Sequence, residues 1–487
     1  MLSQAVLVLV LLLPHASAAP EAPSTPASTS HALELIRSGS PEKGRLMLEA
    51  VLRADARDGL AEAWLGSLHL RANRLPEAAG HLSKAAQLRP SDPQVWSNLG
   101  SVRALQGDVA GARAAFEKAL TLRPGLPEAA LNLGALLSDN KNPTAALPYL
   151  RAAVAARPSD ARAHFLLGQA LFATPQRADA LKPLAAAARL SPRTASYWSS
   201  LARAQFVLGK KSDAYRSYKR AAELAPDRYV SQAAAGRAAQ VAQDLPGALR
   251  YWSAAEALDP KQPEAPYRLF VVHAQQSQYV KAEADVRRAL ALTPKNAEML
   301  NSLGWVLCRQ QRDAEALPIF RQALTLRQDS LPIHRNLAIA LAQTGHAEEA
   351  IAEWRQVLKL APADGPAHLQ LADLLRAQGS YRDAADHYLS GAKAALGRGD
   401  KQAGAQGLCG LGLSRQAQSD LAGAEGAYRQ ALRVLPGSAA ACNNLGTLAE
   451  KRGKPDEAVE WYRKALLADP RQEDARANLQ RLTPSAG

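Results

Sequence analysis

Prolines recur every 34 residues along most of this chain, and no other feature constrains its fold so tightly. Pro90, Pro124, Pro158, Pro192, Pro226, Pro260 and Pro294 keep the beat. Gln328 stands where the next is due, Pro362 resumes it, and Pro436 and Pro470 follow after a change of phase. Proline fixes φ and lacks an amide hydrogen, so each one stops a helix. A period of this length is the mark of a solenoid built from one supersecondary unit per repeat. Large sheet-centred cores fit poorly, because only 5% of the 487 residues are aromatic while 47% are apolar and alanine, the best helix former, is abundant.

With the proline taken as position 32, the repeat that starts at Pro93 reads Trp96, Leu99-Gly100, Gly107-Asp108, Ala112, Phe116, Ala119-Leu120 and Pro124. His164, Leu167, Gly168, Ala180 and Leu184 fill the matching places one stretch on, as do Leu300, Leu303, Gly304, Leu307, Ala316, Phe320 and Ala323 further along. Leu at position 7, a small residue at 8 and an apolar one at 11 form one stripe of a first helix. The small residue lets a second helix come close. Gly-Asp or its equivalent makes the turn. The second helix then sets alanine at position 20 and a bulky residue at 24.

These residues resemble the tetratricopeptide repeat, a helix-turn-helix unit. The resemblance implies an all-α, right-handed superhelical solenoid of about 12–13 repeats. The match spans residues 31–472, in strict register from Pro93 to Asp364. The repeat ending at Pro90 is expected to be two residues short in its first helix, and the repeat from Gly365 carries six extra residues around Leu396-Gly397-Arg398-Gly399-Asp400. Residues 473–487 are expected to form a polar capping helix and tail.

The N-terminus reads differently. The apolar run Ala5–Leu13, the breaker Pro14 and the small residues Ala16-Ser17-Ala18 make residues 1–18 a signal peptide, so a periplasmic or secreted protein is expected. Residues 19–30, rich in Pro, Ser and Thr, read as a disordered linker. No other run approaches the length of a membrane span. Cys308, Cys409 and Cys442 form no Cys-x-x-Cys pair and no histidines cluster at ligand spacing, so neither a disulfide scaffold nor a metal site is expected. Phosphate-loop, dinucleotide, zinc-protease and nucleophile-elbow motifs are all missing, so neither enzymatic activity nor a cofactor is expected.

The resemblance places positions 2, 5, 9, 12 and 13 on a concave groove, with 6 nearby, and implies a protein or peptide partner. Trp64, Trp96, Trp198, Trp252 and Trp354 fall at packing positions. Trp305 at position 9 is expected in the groove, with Tyr267, Asn301 and Arg335 at position 5; upstream the track runs through Phe165, Phe172, Arg203, Phe206 and Arg237. Rings supply rigid contact area and guanidinium groups read carboxylates in pairs, so the track suits an extended peptide with apolar or acidic side chains. The competing reading is that the rings fill a narrow inner radius without a ligand. Asn98, Asn132, Asn336 and Asn444 recur at position 6, either as a ladder for a peptide backbone or as the ordinary structural residue there.

The net charge is +14, and repeats 161–194 and 195–228 carry +8 of it. Lys210, Lys211, Arg216, Lys219 and Arg220 form the densest patch, in a turn and second helix. It is either a solvated face or a seat for an acidic partner or an anionic envelope surface. The export signal argues against nucleic acid. The function that follows is a non-catalytic scaffold in the envelope or outside the cell, the alternative being an accessory subunit of an enzyme or of a polysaccharide or secretion complex.

Overall fold

The computed structural model describes residues 28–483. The expected signal peptide and most of the expected linker lie outside the described residues. The first helix, Thr29–Arg37, is capped by Ser28, whose Oγ accepts from His31 N, so the end of the 19–30 stretch is helix rather than linker.

All described secondary structure is helical, and the helices pair in chain order. Two compact units divide the chain, Met1–Leu258 and Asp259–Gly487. In the regular repeat a 13-residue first helix such as Pro93–Leu105 turns through three residues into a 14-residue second helix such as Val109–Leu122. Four residues then lead to the next first helix, at Pro127.

The close approach at position 8 is visible repeat after repeat. A Cβ on Gly100 would lie 2.7 Å from the Phe116 ring, one on Gly236 2.8 Å from Trp252, and one on Gly304 2.5 Å from Phe320. Each partner lies 16 residues on, at position 24, and each is fully buried. Ala202 and Ala338 take the small role opposite Tyr218 and Trp354. One repeat reverses the order, with Phe270 at the small position and Val286 opposite. Position 20 completes the contact: Ala78, Ala112, Ala146, Ala180 and their equivalents through Ala458 are wholly buried.

The turn imposes its own rule at position 15. The backbone takes positive φ there at Gly107, Gly209, Gly345, Gly379 and Gly453, and also at Asn73, Lys141, Gln243, Ser277, Gln311 and Ser419. Pro175 occupies that position in the 161–194 repeat and cannot adopt such a φ. The second helix of that repeat accordingly opens with a 3-10 turn, Arg177–Ala180, before the α-helix Leu181–Leu190.

In six repeats position 4 ties the repeat to the one before. Trp96 Nε1 donates to the Pro90 carbonyl at 2.9 Å, Trp198 Nε1 to Pro192 at 3.0 Å and Gln232 Nε2 to Pro226 at 3.3 Å. His164, His334 and His368 place Nε2 against the equivalent carbonyls of Pro158, Gln328 and Pro362 at 2.7–3.0 Å. The chemistry these six share is an N–H that satisfies a carbonyl left open at a helix end.

Two expectations on register change. The repeat ending at Pro90 is full length: its first helix, Gly59–Arg71, has 13 residues and begins 34 before Pro93, where the Asp58 side chain accepts from Leu60 N and Ala61 N. The short first helix belongs to the pair before it, at Thr29–Arg37. The six extra residues are shared between two helices, Tyr381–Gly397 and Lys401–Ala417, each of 17 residues. Leu396 stands at the proline position there, so nothing stops the helix on time. Gly404, Gly407 and Gly410 let the long pair close up, a Cβ on Gly410 running into the Tyr388 ring, while Gly391 makes room for Leu369 of the preceding first helix. The final helix, Glu473–Leu482, has exposed Gln480 at position 8, where other repeats receive their second helix.

Candidate functional site

In the unit Met1–Leu258, inner-face positions of the early repeats are closed. Ser67, Ser97, Ser101, Glu128 and Leu131 are each at most 2% exposed. The asparagines are closed too: Asn98 Nδ2 donates to Ser67 Oγ at 3.0 Å and Asn132 Nδ2 to Ser101 Oγ at 3.4 Å, each reaching back one repeat. The asparagine ladder here binds the chain to itself.

The face opens from the 161–194 repeat onward. A cavity of about 1400 Å³ is walled by four successive first helices, Pro127–Asp139, Ala161–Phe172, Ala195–Val207 and Tyr229–Val241. Phe165 and Tyr197 meet within it with ring centroids 4.6 Å apart and planes tilted by 35°. Around them stand Arg162, Arg228, Lys141 and Asp139, with hydroxyls from Ser138, Ser199, Ser200 and Ser231. Burial draws the Arg162 guanidinium below its ordinary value against the pull of Asp160, and burial raises the Asp139 carboxyl against the pull of Arg162. Arg162 is partly buried and Asp139 stands at the exposed rim, so the cation is the charge that an ion entering the cavity meets with the less water between.

Of the predicted upstream track only Phe165 lines this cavity. Phe172 lies beneath two guanidinium groups, Arg203 at 5.2 Å and Arg177 at 5.8 Å from its centroid. Phe206 is 40% exposed, and Arg237 sits 5.9 Å from the Trp252 ring. Sequence reasoning passed over Arg162, Asp139 and Tyr197. Arg162 and Asp139 occupy positions 2 and 13, already on the groove side, whereas Tyr197 at position 3 carries no such signal.

The predicted residues of Asp259–Gly487 serve mostly as ties between repeats. Arg335 is paired with Asp364, the residue that caps the next first helix by accepting from Ala367 N at 3.1 Å. Asn301 Oδ1 accepts from Asn336 Nδ2 at 3.0 Å, and the Tyr267 hydroxyl lies 3.2 Å from Ser302 Oγ. Trp305 is half-buried, its ring edge-on to Tyr279 at 6.0 Å. The Tyr279 hydroxyl in turn accepts from Arg309 Nε at 3.2 Å. A cavity of about 630 Å³ in this unit, between Thr293–Glu298 and Leu326-Arg327, includes none of the four. No bond from Asn444 joins the ladder; its neighbour Asn443 accepts from Asn478 at 3.3 Å.

The basic patch lies on the second helix Lys211–Leu224 and the residue before it. Lys210, Lys211 and Lys219 are exposed, while Arg216 pairs with Asp213 at 2.5 Å and Arg220 with Glu223 at 3.2 Å. Among the described residues no three His, Cys, Asp or Glu side chains are grouped to hold a metal ion, and no helix is long and apolar enough to cross a membrane. Burial pushes the thiols of Cys308 up to about 12 and Cys409 up to about 11, and raises that of Cys442.

Models of the tetratricopeptide repeat match residues 29–93, 131–192, 233–297, 267–330, 335–401 and 409–481, and a second such model matches 93–126. No curated protein matches the sequence significantly. Among solved structures, YrrB, described as a TPR protein with an unusual peptide-binding site, is 24% identical over 38% of this chain and 96% of its own, with a TM-score of 0.36. MamA 41-end from Desulfovibrio magneticus RS-1 is 30% identical over 34% and 93%, with a TM-score of 0.32. The APC/C hetero-tetramer Cut9-Hcn1 is 12% identical over 93% and 95%, with a TM-score of 0.36.

Proposed function

We propose, from the premise that this chain belongs to the tetratricopeptide repeat family, that it is an exported scaffold without chemistry of its own. It holds a protein partner in the envelope or outside the cell by an extended, acid-bearing segment seated in the cavity at Phe165 and Tyr197. The observation that carries this reading is the cavity itself, formed where four consecutive first helices present rings, cations and hydroxyls together. The paired rings give a rigid apolar platform. Arg162, Arg228 and Lys141 supply donors for carboxylates, and Asp139 penalises a segment whose acids fall at the wrong place. The net charge of repeats 161–194 and 195–228 favours the same sign of ligand and speeds its encounter.

The test is crosslinking and capture from an envelope fraction with the processed chain, followed by binding of peptides from whatever is captured. Phe165→Ala is expected to weaken binding by about 2 kcal/mol, as a buried ring anchor does. Phe206→Ala, outside the cavity, is expected to leave it unchanged. Equal loss in both, or in neither, would move the site elsewhere, with the basic patch around Lys210 and Lys211 next in line. N-terminal sequencing of native material is expected to begin at Ala19; Met1 retained on a cytosolic protein would sink the exported part of the reading.

A further inference from the structure

The turns between first and second helices in repeats 161–194 and 195–228 carry exposed side chains that neither the core nor the cavity uses. Phe206 and Val207 end the first helix Ala195–Val207 and are 40% and 50% exposed. Lys210 and Lys211 follow at once, both exposed. The turn between them is tightly tied: Gly209 takes φ of +77°, its amide donates to the Phe206 carbonyl at 3.1 Å, and Lys210 N donates to the Gln205 carbonyl at 2.8 Å. Two apolar side chains and two ammonium groups thus leave one folded-back knuckle.

Guanidinium groups gather beside it. Arg203 stands three residues before Phe206, on the same face of their helix, and is exposed. It lies 5.2 Å from the centroid of the Phe172 ring, which Arg177 of the preceding turn approaches to 5.8 Å. Two like charges are therefore drawn to one ring. None of Arg177, Arg203, Lys210 and Lys211 has a carboxylate partner among the described residues, whereas Arg216 and Arg220 further along are paired with Asp213 and Glu223. The acids of the two turns are Asp179 and Asp213, and Arg216 already holds the second.

We propose that this edge docks on an anionic bilayer, with Phe206 and Val207 entering the headgroup boundary and the four cations holding lipid phosphates. Guanidinium groups grip phosphate oxygens in pairs, and a phosphate between Arg177 and Arg203 relieves their mutual repulsion. Long basic side chains keep their charges at headgroup level while apolar groups beside them go deeper. A bilayer suits this surface better than a folded partner does. Two apolar side chains on one turn fall well short of the roughly 800 Å² a side that a stable protein interface takes, whereas lipids rearrange around whatever enters them. None of the six residues lines the cavity at Phe165 and Tyr197, so docking draws on nothing proposed to hold the partner.

The experiment floats the chain beginning at Ala19 with vesicles of phosphatidylcholine alone and of phosphatidylcholine mixed equally with phosphatidylglycerol; leaving out residues 1–18 removes the apolar run Ala5–Leu13 from the measurement. Binding is expected only to the anionic vesicles, and to weaken as salt is raised. Lys210→Gln and Lys211→Gln are each expected to weaken it about fivefold, as the loss of one lysine at an anionic surface does. Lys118→Gln removes the same charge from an exposed site on another second helix and is expected to change nothing. Phe206→Ser, at constant charge, is expected to weaken binding severalfold and to leave its salt dependence as it was. All four sites are exposed, so each variant is expected to keep its helicity by circular dichroism. Equal binding to neutral vesicles, equal loss from Lys118→Gln, or indifference to Phe206→Ser would each overturn the proposal. So would lysine-dependent retention of soluble polyglutamate without binding to vesicles, which would make the edge a seat for an acidic protein.

Discussion

The steric pairing of positions 8 and 24 can be tested by reversing it. Gly304→Leu puts four carbon atoms where a single Cβ would already lie 2.5 Å from Phe320 Cε1, against an ordinary carbon contact of about 3.5–4.0 Å. Phe320 is wholly buried and cannot swing into solvent. Overpacking of this kind costs about 1–3 kcal/mol, and the upper end applies to a ring with no exit. Replacing glycine in a helix interior returns about 1 kcal/mol, so the net loss is about 2 kcal/mol. Phe320→Ala alone leaves a cavity and costs about 3–5 kcal/mol. In the double variant the new leucine occupies the space the ring vacated, reproducing the order that Phe270 and Val286 already show. The double variant is therefore expected to recover at least about 2 kcal/mol relative to the sum of the singles. Urea titration by circular dichroism measures the energies. Hydrogen exchange localises them, with protection falling first in Ala297–Arg309, Asp313–Leu326 and adjacent repeats. Strictly additive costs, or protection lost evenly along the chain, would refute the reasoning.

Gln243→Gly and Gln311→Gly, at φ of +62° in both cases, are expected to stabilise by about 0.5–1 kcal/mol each, seen as higher urea midpoints. Arg335→Ala is expected to cost about 1 kcal/mol or less through its pairing with Asp364, with no loss beyond that in an Asp364→Asn background, and to leave partner capture intact. All three thiols have raised pKa values, so a thiol reagent at pH 8 is expected to react slowly with the native chain and fully after unfolding. Burial, then His81 and Arg74, lower the pKa of His69 below 6.5; its contribution is fully present above that pH and is lost as pH falls through it. Protection of Gly59–Arg71, measured as exchange relative to the intrinsic rate at each pH, is expected to fall as the pH drops below 6.5, and to lose that dependence in His69→Gln.

The repeat was legible because its rules act over short distances. Glycine at 8, alanine at 20 and a bulky residue at 24 meet within one helix pair, and the turn and the stop are written in Gly, Asp and Pro. The functional face was less legible, because long side chains ignore the boundary between repeats. Arg335 holds a cap 29 residues away, and Asn336 reaches back 35 to Asn301. Position numbers describe where a Cβ points, whereas a guanidinium ends several ångströms further on, on whatever neighbour offers a carboxylate. Tyr197 shows the converse: its position carries no groove signal, yet its ring reaches Phe165 in the cavity. Asp58 was the signal missed at the other end: its carboxylate caps Gly59–Arg71, so the repeat ending at Pro90 starts on time where the sequence had been read as two residues short.

The two 17-residue helices around Arg398-Gly399-Asp400 show which length changes such an array can absorb. One helix gains three residues and the other four, while their connection gives up one. Each gain is close to the 3.6 residues of a single turn, so each helix returns its apolar stripe to the bearing it would have had without the addition. Six residues placed in one helix alone would rotate everything beyond them by about 240° and turn that stripe toward solvent. Because the two helices run antiparallel and share a turn, they also have to lengthen together to keep each other covered. Viable insertions and deletions in this chain are thus quantised: whole turns, added or removed on both sides of one turn at once.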